Sequence, residues 1–180
     1  MVNTYKLNLT HLQQEILRLF FVKAGTSLNQ RQIANLLKVT PPAVMKAMPY
    51  LEKEDMIKLK QDKETKRWSV ELNRNQMVMQ LKRADNLKQI YETGLADFLE
   101  KEFAGATLIL FGSYSRGEDI INSDIDIAII GRKDRQIDIS RYEKILERKI
   151  NINYYISFKI ERHLKENLCN GIVLAGGIEL

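Results

Sequence analysis

Residues 107–130 read TLILFGSYSRGEDIINSDIDIAII, in which two apolar runs of strand length enclose a polar segment. The first run ends at Gly112, and the second begins just after Ser123 with alternating aspartates and isoleucines. Apolar runs of this length that are bounded by glycine and serine are typical of buried strands. The pattern therefore predicts two strands of one sheet, joined by a segment that carries polar side chains.

The end of the first run, Gly112-Ser113, has the composition of a tight turn that can approach a bound group closely. Ser113 offers a hydroxyl and its own N–H, and Arg116 adds a fixed positive charge. Together these groups suit a triphosphate. Glycine and serine also end many strands that bind nothing, so this pair alone does not separate a phosphate site from a plain turn.

Two carboxylates, Asp124 and Asp126, stand at the head of the second run. Because side chains alternate between the faces of a strand, both aspartates are expected on one face and Ile125 and Ile127 on the other. Paired carboxylates at that separation can hold one or two magnesium ions. The alternative is a strand with one solvated face, which needs no metal.

The combination of these features is more specific than either part. Gly-Ser, ten further residues and then Asp-x-Asp resemble the minimal nucleotidyltransferases of the DNA polymerase beta superfamily, over Leu108 to Ile130. The Arg-Gly pair inside the ten residues is typical of that family as well. The resemblance therefore implies a polymerase-beta-like domain with a small mixed sheet.

The same resemblance implies a reaction, the magnesium-dependent transfer of a nucleoside monophosphate from a nucleoside triphosphate to a hydroxyl of a macromolecular acceptor. Gly112 and Ser113 would bind the nucleotide phosphates with support from Arg116, and Asp124 and Asp126 would be the catalytic metal ligands. Phosphoryl transfer mainly requires that groups be positioned and charge be neutralised, which such a site can do. The family includes antitoxins that modify a partner toxin, so a protein acceptor is one expectation.

The family normally supplies a third carboxylate from a later strand. Here the candidate strand begins near Ile150, and Asn151 stands at the expected position, with Asn153 on the same face. An asparagine offers a metal a neutral carbonyl oxygen, but it contributes no negative charge and accepts no proton. Asp138, Glu143 or a partner protein is an alternative source of the carboxylate. A nucleotide-binding domain without turnover is therefore the second interpretation.

The N-terminal part of the chain predicts a helix-turn-helix. Thr10 and Gln13 have the spacing of a capping box, and apolar residues then recur at helical spacing. A second helix is predicted to start near Ser27 or Asn29. Thr40, followed by two prolines, begins a third helix, because a proline at the first helical position loses no hydrogen bond.

Two alternating segments after Asp55, one near Ile57 and one near Trp68, predict a hairpin. The order of three helices and a hairpin resembles the winged helix-turn-helix family over Thr10 to Leu72, and Pro49 inside the third helix is expected to bend it. Residues on the third helix and the hairpin can reach a DNA phosphate backbone, although a solvated loop explains the hairpin tip equally well. The residues expected to bind DNA are Lys46, Lys60, Lys63, Lys66 and Arg67.

Charge is divided unevenly along the chain. Residues 1–75 hold 13 Lys and Arg against 7 Asp and Glu, a net charge of +6, whereas the remaining residues hold 15 against 16, a net charge of −1. The basic surplus suits a DNA-binding module, although solvated lysines also account for an excess of this size. The single Cys169 excludes an internal disulfide, and no signal peptide or membrane span is evident, so a cytoplasmic location is expected.

A long helical pattern runs from Asn75 to about Glu102 and predicts a connecting helix. It would serve as a spacer or as the contact of a homodimer, and the second interpretation is slightly favoured because winged-helix proteins commonly read two half-sites as dimers. The residues of its predicted apolar seam are Met77, Leu81, Ala84, Leu87, Tyr91, Leu95 and Phe98.

The predicted fold is mixed α/β. It consists of a winged helix-turn-helix in residues 1–74, a linker helix in residues 75–103 and a nucleotidyltransferase domain in residues 104–180, whose last part is a helix and a short apolar tail from Ile172 to Leu174. Two functions remain open at this level. One is a nucleotidyltransferase coupled to DNA binding, and the other is a DNA-binding transcriptional regulator whose weakened transferase-like domain senses nucleotide or only dimerises.

Overall fold

The computed structural model describes residues 7–61 and 68–178. The chain divides into two compact units, Met1–Val78 and Met79–Leu180. Both helices and strands occur in each unit, which confirms the mixed α/β class. Among the described residues, no helix has the length and apolar character needed to cross a membrane.

Within its described residues, the first unit contains three helices and a three-stranded sheet. The elements are α1 (His11–Val22), β1 (Ser27–Leu28), α2 (Gln30–Leu37), α3 (Pro41–Lys53), β2 (Ile57–Gln61) and β3 (Trp68–Leu72). The strand order is β1-β3-β2, and both pairings are antiparallel. This arrangement confirms the winged helix-turn-helix fold and adds the short strand β1, which the sequence analysis did not predict.

Capping boxes fix where the first two helices begin. The Thr10 N–H donates to Oε1 of Gln13 at 2.8 Å, and the Gln13 N–H donates back to the Thr10 hydroxyl at 3.4 Å. Asn29 and Gln32 make the same reciprocal pair at the start of α2. Of the two predicted starts for α2, Asn29 is therefore the capping residue, and Ser27 lies in β1.

The start of α3 differs from the prediction in one respect. Thr40 occupies the capping position, but its side chain makes no capping hydrogen bond. Pro41 and Pro42 have no N–H to donate, and the Ala43 N–H donates to the Thr40 carbonyl at 3.0 Å instead. The helix then continues through the solvent-exposed Pro49 to Lys53, so that proline does not end it.

The second unit is built on a four-stranded mixed sheet. Its elements, the first of which begins just before the unit boundary, are α4 (Gln76–Glu92), α5 (Leu95–Glu102), β4 (Thr107–Phe111), α6 (Gly112–Arg116), β5 (Ile125–Ile130), α7 (Ser140–Leu146), β6 (Ile150–Tyr155), α8 (Arg162–Cys169) and β7 (Ile172–Ala175). The strand order is β6-β5-β4-β7, with β5 and β6 parallel and the other pairs antiparallel. The predicted apolar tail is therefore wrong, because it forms the sheet strand β7.

The connecting segment is two helices and not one. Gly94, with φ of +77°, separates α4 from α5. Along α4 the predicted seam does not face the apolar core at Tyr91, which is 46% exposed. The buried line instead runs through Lys82, Asn86 and Ile90. Lys82 and Asn86 are buried although they are polar, so the spacing of apolar residues alone does not identify the buried side of α4.

The two faces of the sheet carry different partners. Leu108, Leu110 and the isoleucines of β5 at odd-numbered positions pack with residues of α4, α5 and α7 in one apolar cluster. Ile109, Ala128 and Ile130 form a second cluster with Leu164 and Leu168 of α8. Because side chains alternate along β5, the even-numbered residues of this strand share the α8 side of the sheet, which we call the carboxylate face.

Candidate active site

The predicted carboxylate pair lies at one end of the carboxylate face. Asp124 immediately precedes β5, and Asp126 lies within the strand. The side-chain Nδ2 of Asn151 is 3.1 Å from Oδ2 of Asp124 and 3.2 Å from Oδ1 of Asp126. The two carboxylates therefore converge on one point, as the period of two predicts.

Strand pairing brings Asn151 to this point. The parallel register of β5 and β6 places Asn151 opposite Asp126. The amide thus occupies the place at which the resemblance leads one to expect a third carboxylate. Its N–H groups donate to both aspartates, so the site contains one neutral and two acidic side chains.

Gly112 is packed directly against Asp126. β4 and β5 pair so that Phe111 lies opposite Asp126, and Gly112 follows with φ of +74°. A Cβ atom added at Gly112 would lie 2.6 Å from Oδ2 of Asp126. A side chain there would displace the Asp126 carboxylate, and the positive φ also favours glycine at this position.

The segment after β4 forms a short helix, α6, and not the predicted tight turn alone. Ser115 donates its hydroxyl to the Gly112 carbonyl at 2.9 Å, and the helix ends at Gly117, with φ of +74°. Ser113 is half-exposed beside Gly112. Arg116 is exposed and donates to Oε2 of Glu118 at 2.8 Å. Gly112, Ser113 and Arg116 are thus residues of one short helix whose first residue adjoins Asp126.

The two proposed substitutes for the third carboxylate are engaged elsewhere. Asp138 accepts hydrogen bonds from the Ser140 hydroxyl at 2.6 Å and the Ser140 N–H at 3.0 Å, and these bonds lower the pKa of Asp138. Oε1 of Glu143 accepts from the Ile150 N–H at 3.0 Å. Within residues 7–61 and 68–178, no group of three or more His, Cys, Asp and Glu side chains is placed to hold a metal ion.

The donor set nevertheless suits magnesium bound together with a nucleotide. Mg²⁺ in phosphoryl-transfer sites is usually held by one or two carboxylates, with the remaining positions taken by water and substrate phosphates. Asp124 and Asp126 supply two such carboxylates that already converge. A half-turn of the Asn151 amide exchanges its nitrogen for its oxygen and adds a neutral oxygen donor. The residues present therefore fit the metal that the sequence resemblance implies.

Tyr155 lies on the carboxylate face at the other end of β6 from Asn151, opposite Ile130. It follows Asn151 and Asn153 at a period of two along β6 and packs against the apolar cluster that includes Phe111. Partial burial, and then the negative charge of Asp126, raise the pKa of Tyr155 above its ordinary value. Its phenol therefore remains protonated at neutral pH and can donate a hydrogen bond.

A buried polar cluster lies beside the site, and the sequence analysis missed it. Lys82 and Asn86 of α4 both donate to Oδ1 of Asp119, and Nη2 of Arg148 lies 3.7 Å from Oδ2 of the same carboxylate. Lys82 is 0% exposed and Asp119 is 2% exposed. One feature of the sequence indicates the cluster. Lys82, Asn86 and the apolar Ile90 are spaced four residues apart, which places all three on one side of a helix.

The structure describes two of the five residues predicted to bind DNA. Lys46 is exposed on α3. Nζ of Lys60 lies 2.5 Å from Oε1 of Glu71 on the neighbouring strand, and exposed pairs of this kind contribute little stability. The remaining three, Lys63, Lys66 and Arg67 at the hairpin tip, lie outside the described residues.

A cleft of about 590 Å³ lies elsewhere in the second unit. Its lining includes Thr107, Ile130 and Ala175. Thr107 pairs with Ile130, four residues along β5 from Asp126, so the cleft is at the other end of these strands from the carboxylates. It is not part of the candidate site.

Comparison with known families gives a match within the second unit. Residues 93–174 match the nucleotidyltransferase domain family. The matched range includes Gly112, Ser113, Asp124, Asp126 and Asn151. Its matched range begins just before α5, earlier in the chain than the predicted boundary at residue 104. Among curated protein sequences, none matches the chain.

Solved structures give partial likenesses. The S. aureus MepR complex with DNA is 24% identical over 52% of this chain and 81% of that one, with a TM-score of 0.38. The adhesin competence repressor AdcR from Streptococcus pyogenes is 19% identical over 57% of this chain and 72% of that one, with a TM-score of 0.43. Both TM-scores lie below 0.5, so these likenesses support neither a function nor a partner for the chain.

Proposed function

We propose that the chain is a magnesium-dependent nucleotidyltransferase that moves a nucleoside monophosphate from a nucleoside triphosphate to a hydroxyl of a macromolecular acceptor, and that it binds DNA through its first unit. One observation carries the proposal. Asp124 and Asp126 converge on a single point, and Gly112 packs so closely against Asp126 that any side chain at its position would displace this carboxylate. The match of residues 93–174 to the nucleotidyltransferase domain family supports the same reaction class.

Three residues of α6 are assigned to the triphosphate. Gly112 brings the backbone close to the Asp126 carboxylate, so that a phosphate on the bound metal would lie near it, and the half-exposed Ser113 offers a hydroxyl and an N–H. Arg116 is accessible and would exchange its contact with Glu118 for a phosphate oxygen. An exposed ion pair is weak enough for that exchange, because solvent screens both charges.

Asp124 and Asp126 would hold Mg²⁺ against the triphosphate, with the amide oxygen of Asn151 as a neutral third donor. Bound magnesium supplies the positive charge that offsets the charge of the phosphates during transfer. In the reaction, the acceptor oxygen forms a bond to the α-phosphorus, and pyrophosphate leaves. Asn151 accepts no proton, so the proton of the acceptor hydroxyl passes to solvent, and we expect slow turnover.

Label transfer tests the proposed reaction. The protein is incubated with a nucleoside triphosphate labelled at the α-phosphate, and label retained on protein or nucleic acid is measured with and without Mg²⁺. We expect metal-dependent transfer that disappears in Asp126→Asn and persists in Asp97→Asn, which neutralises an exposed carboxylate on α5. Transfer that is the same in Asp126→Asn and in the unchanged protein would overturn the assignment.

A second candidate is a DNA-binding transcriptional regulator whose transferase-like domain binds nucleotide without turnover. The neutral Asn151 beside two carboxylates favours it, because the side chain at that position neither adds charge nor accepts a proton. This candidate requires nucleotide binding without label transfer. It also requires salt-sensitive binding to duplex DNA that Asp126→Asn leaves unchanged.

The remaining partners belong to the same proposal. The net charge of +6 in residues 1–75 and the exposed Lys46 support DNA as a partner. A homodimer and a cytoplasmic location complete the proposal. The exposed Met77 and Tyr91 of α4 are available to a second copy of the chain, and sedimentation of the purified protein measures whether they are used.

A further inference from the structure

The segment between the two halves of the candidate site is held by α4. Residues 112–123, which we call the site loop, begin at Gly112 and end just before Asp124. Asn86 donates one Nδ2 hydrogen bond to the Tyr114 carbonyl at 2.9 Å and another to Oδ1 of Asp119 at 2.7 Å. One amide group thus uses both of its N–H donors on two points of the site loop.

Backbone packing provides a third point of contact. A Cβ atom at Gly117 would lie 2.4 Å from the Met79 carbonyl oxygen and 2.7 Å from the Arg83 nitrogen, both in α4. Because the neighbouring atoms are backbone, neither can move aside. The middle of the site loop therefore lies directly on α4, between the two points that Asn86 holds.

The polar cluster joins this loop to a second element of the site. Asp119 accepts from Lys82 and Asn86 on one side and lies beside Arg148 on the other. Arg148 is three residues before Asn151, at the start of the segment that leads into β6. Asp119, a residue of the site loop, thus contacts both α4 and the segment that leads into the strand of Asn151.

Stability alone does not account for a buried cluster of this composition. Removing charges from water is expensive, and replacing a buried ion pair with apolar residues of similar size is often neutral or stabilising. The cluster does, however, fix the loop that carries Gly112 and Ser113 relative to the strands that carry Asp124 and Asn151. Catalytic groups need their positions fixed to about 0.5 Å, and neighbouring side chains supply that rigidity.

We propose that Asn86 and Lys82 are positioning residues of the nucleotide site, acting through Asp119 and the Tyr114 carbonyl to hold the site loop in its nucleotide-binding conformation. This inference rests on the proposed nucleotide binding at Gly112, Ser113 and the two carboxylates. Neither residue touches the nucleotide. Their contribution is to the affinity for nucleotide and to the rigidity of the site loop.

The sharpest test separates positioning from stability. A Lys82→Met, Asp119→Leu, Arg148→Met triple variant replaces all three charges of the cluster with apolar groups, so no buried charge is left without its partner and the fold should be retained. Asn86→Asp is nearly isosteric but has no N–H donors and places a carboxylate beside Asp119. The control is Leu99→Ala, a buried residue of α5 whose truncation lowers the melting temperature from outside the cluster and the site loop.

Two quantities are measured in full-length protein, the Kd for Mg-ATP by calorimetry and amide hydrogen exchange at Gly117 and Glu118, whose N–H groups bond to the Tyr114 and Ser113 carbonyls. We expect the triple variant and Asn86→Asp to weaken Mg-ATP binding by about 10-fold or more and to speed exchange at both amides, as loss of a supporting side chain does at metal sites. Leu99→Ala should leave the Kd unchanged.

Each outcome is decisive. Wild-type affinity in a folded triple variant overturns the inference while the proposed function stands. If Asn86→Asp fails to fold, the triple variant gives the answer. If the unchanged protein binds no nucleotide, the proposed function fails and the inference fails with it. If Leu99→Ala weakens binding as much as the cluster variants do, the effect is one of stability, and positioning is excluded.

Discussion

Asn151 sets the chemistry that the candidate site can perform. Its amide lies between two carboxylates and gives the site no third negative charge. We expect Asn151→Asp to tighten magnesium binding and to speed label transfer by about 10-fold or more, since a positioned general base typically contributes 10²–10⁴-fold. Magnesium titration and initial rates measure both effects.

The matched control for this change is Asn153→Asp, two residues further along the same face of β6. A carboxylate there carries the same charge but lies opposite Ala128 and not Asp126. Equal effects of the two variants would mean that general electrostatics and not the site geometry is responsible. Slower transfer in Asn151→Asp would mean that the amide itself is the functional group.

Gly112 has a left-handed backbone angle and also packs against the site carboxylate Asp126. Gly112→Ala introduces a Cβ atom 2.6 Å from Oδ2 of Asp126 as well as an L-residue at φ of +74°. We expect a loss of stability of about 1–2 kcal/mol from the backbone angle and a further loss of Mg-ATP affinity of about 10-fold or more from displacement of Asp126. Thermal unfolding and calorimetry measure the two effects.

Gly94→Ala provides the comparison, because Gly94 has φ of +77° but nothing within 4 Å of an added Cβ atom. It should lose similar stability and keep wild-type affinity for Mg-ATP. If both variants lose affinity for Mg-ATP, the loss in Gly112→Ala is a consequence of lower stability. If both keep wild-type affinity for Mg-ATP, the nucleotide does not bind beside Gly112.

At the scale of elements, the strands and the site were more predictable than the helices around them. The alternation of Asp124 and Asp126 with isoleucine was enough to predict their shared face and, with Asn151, the third side chain of the site. These features depend on the chemistry of neighbouring residues in one strand. The strand that carries the two aspartates and their shared face were therefore predictable from sequence.

Helix α4 shows why other features were not predictable. Lys82 and Asn86 look like solvent-facing residues until Asp119, distant in sequence, supplies their partner. The apolar seam was accordingly placed on residues such as Tyr91, which is exposed. The strand β7 was not predicted for a related reason. It is a short edge strand, and its pairing with β4 identifies it more clearly than its own residue pattern does.

Proline inside α3 gives a prediction at the same scale. Pro49 is exposed within a helix that continues to Lys53, and it removes a hydrogen bond to the preceding turn. A proline in a helix interior costs about 3 kcal/mol relative to alanine, and its rigidity returns up to about 1 kcal/mol through the unfolded chain. We therefore expect Pro49→Ala to raise the free energy of unfolding by about 2 kcal/mol.

Pro42→Ala is the internal control, since Pro42 lies in the first turn of the same helix, where no hydrogen bond is lost. Urea unfolding of the two variants should show a clear gain for Pro49→Ala and little change for Pro42→Ala. A destabilised Pro49→Ala would show that the proline makes contacts that the helix needs.

At the scale of the whole molecule, the excess positive charge and the candidate site belong to different units. The basic surplus lies in residues 1–75, whereas the candidate site lies entirely in the second unit. We expect Lys46→Ala to weaken binding to a mixed-sequence DNA duplex and to reduce the slope of log affinity against log salt concentration by about 1, as loss of one phosphate contact does. Fluorescence anisotropy over a salt series measures both.

Asp126→Asn is the appropriate comparison, because it changes the charge of the second unit by the same amount as Lys46→Ala changes that of the first, in the opposite sense. Its DNA affinity and salt slope should match those of the unchanged protein. An unaltered salt slope in Lys46→Ala would remove α3 from the DNA contact.

Nucleotide binding by the convergent carboxylates is the claim on which both proposed functions depend. Calorimetric titration of Mg-ATP and Mg-GTP into the full-length protein, in parallel with an Asp124→Ala, Asp126→Ala double variant, tests it most directly. We expect saturable binding of at least one nucleotide to the unchanged protein and none to the double variant, with both proteins folded by circular dichroism. A folded, unchanged protein that binds neither nucleotide, or a double variant that binds as well as its parent, would contradict the claim.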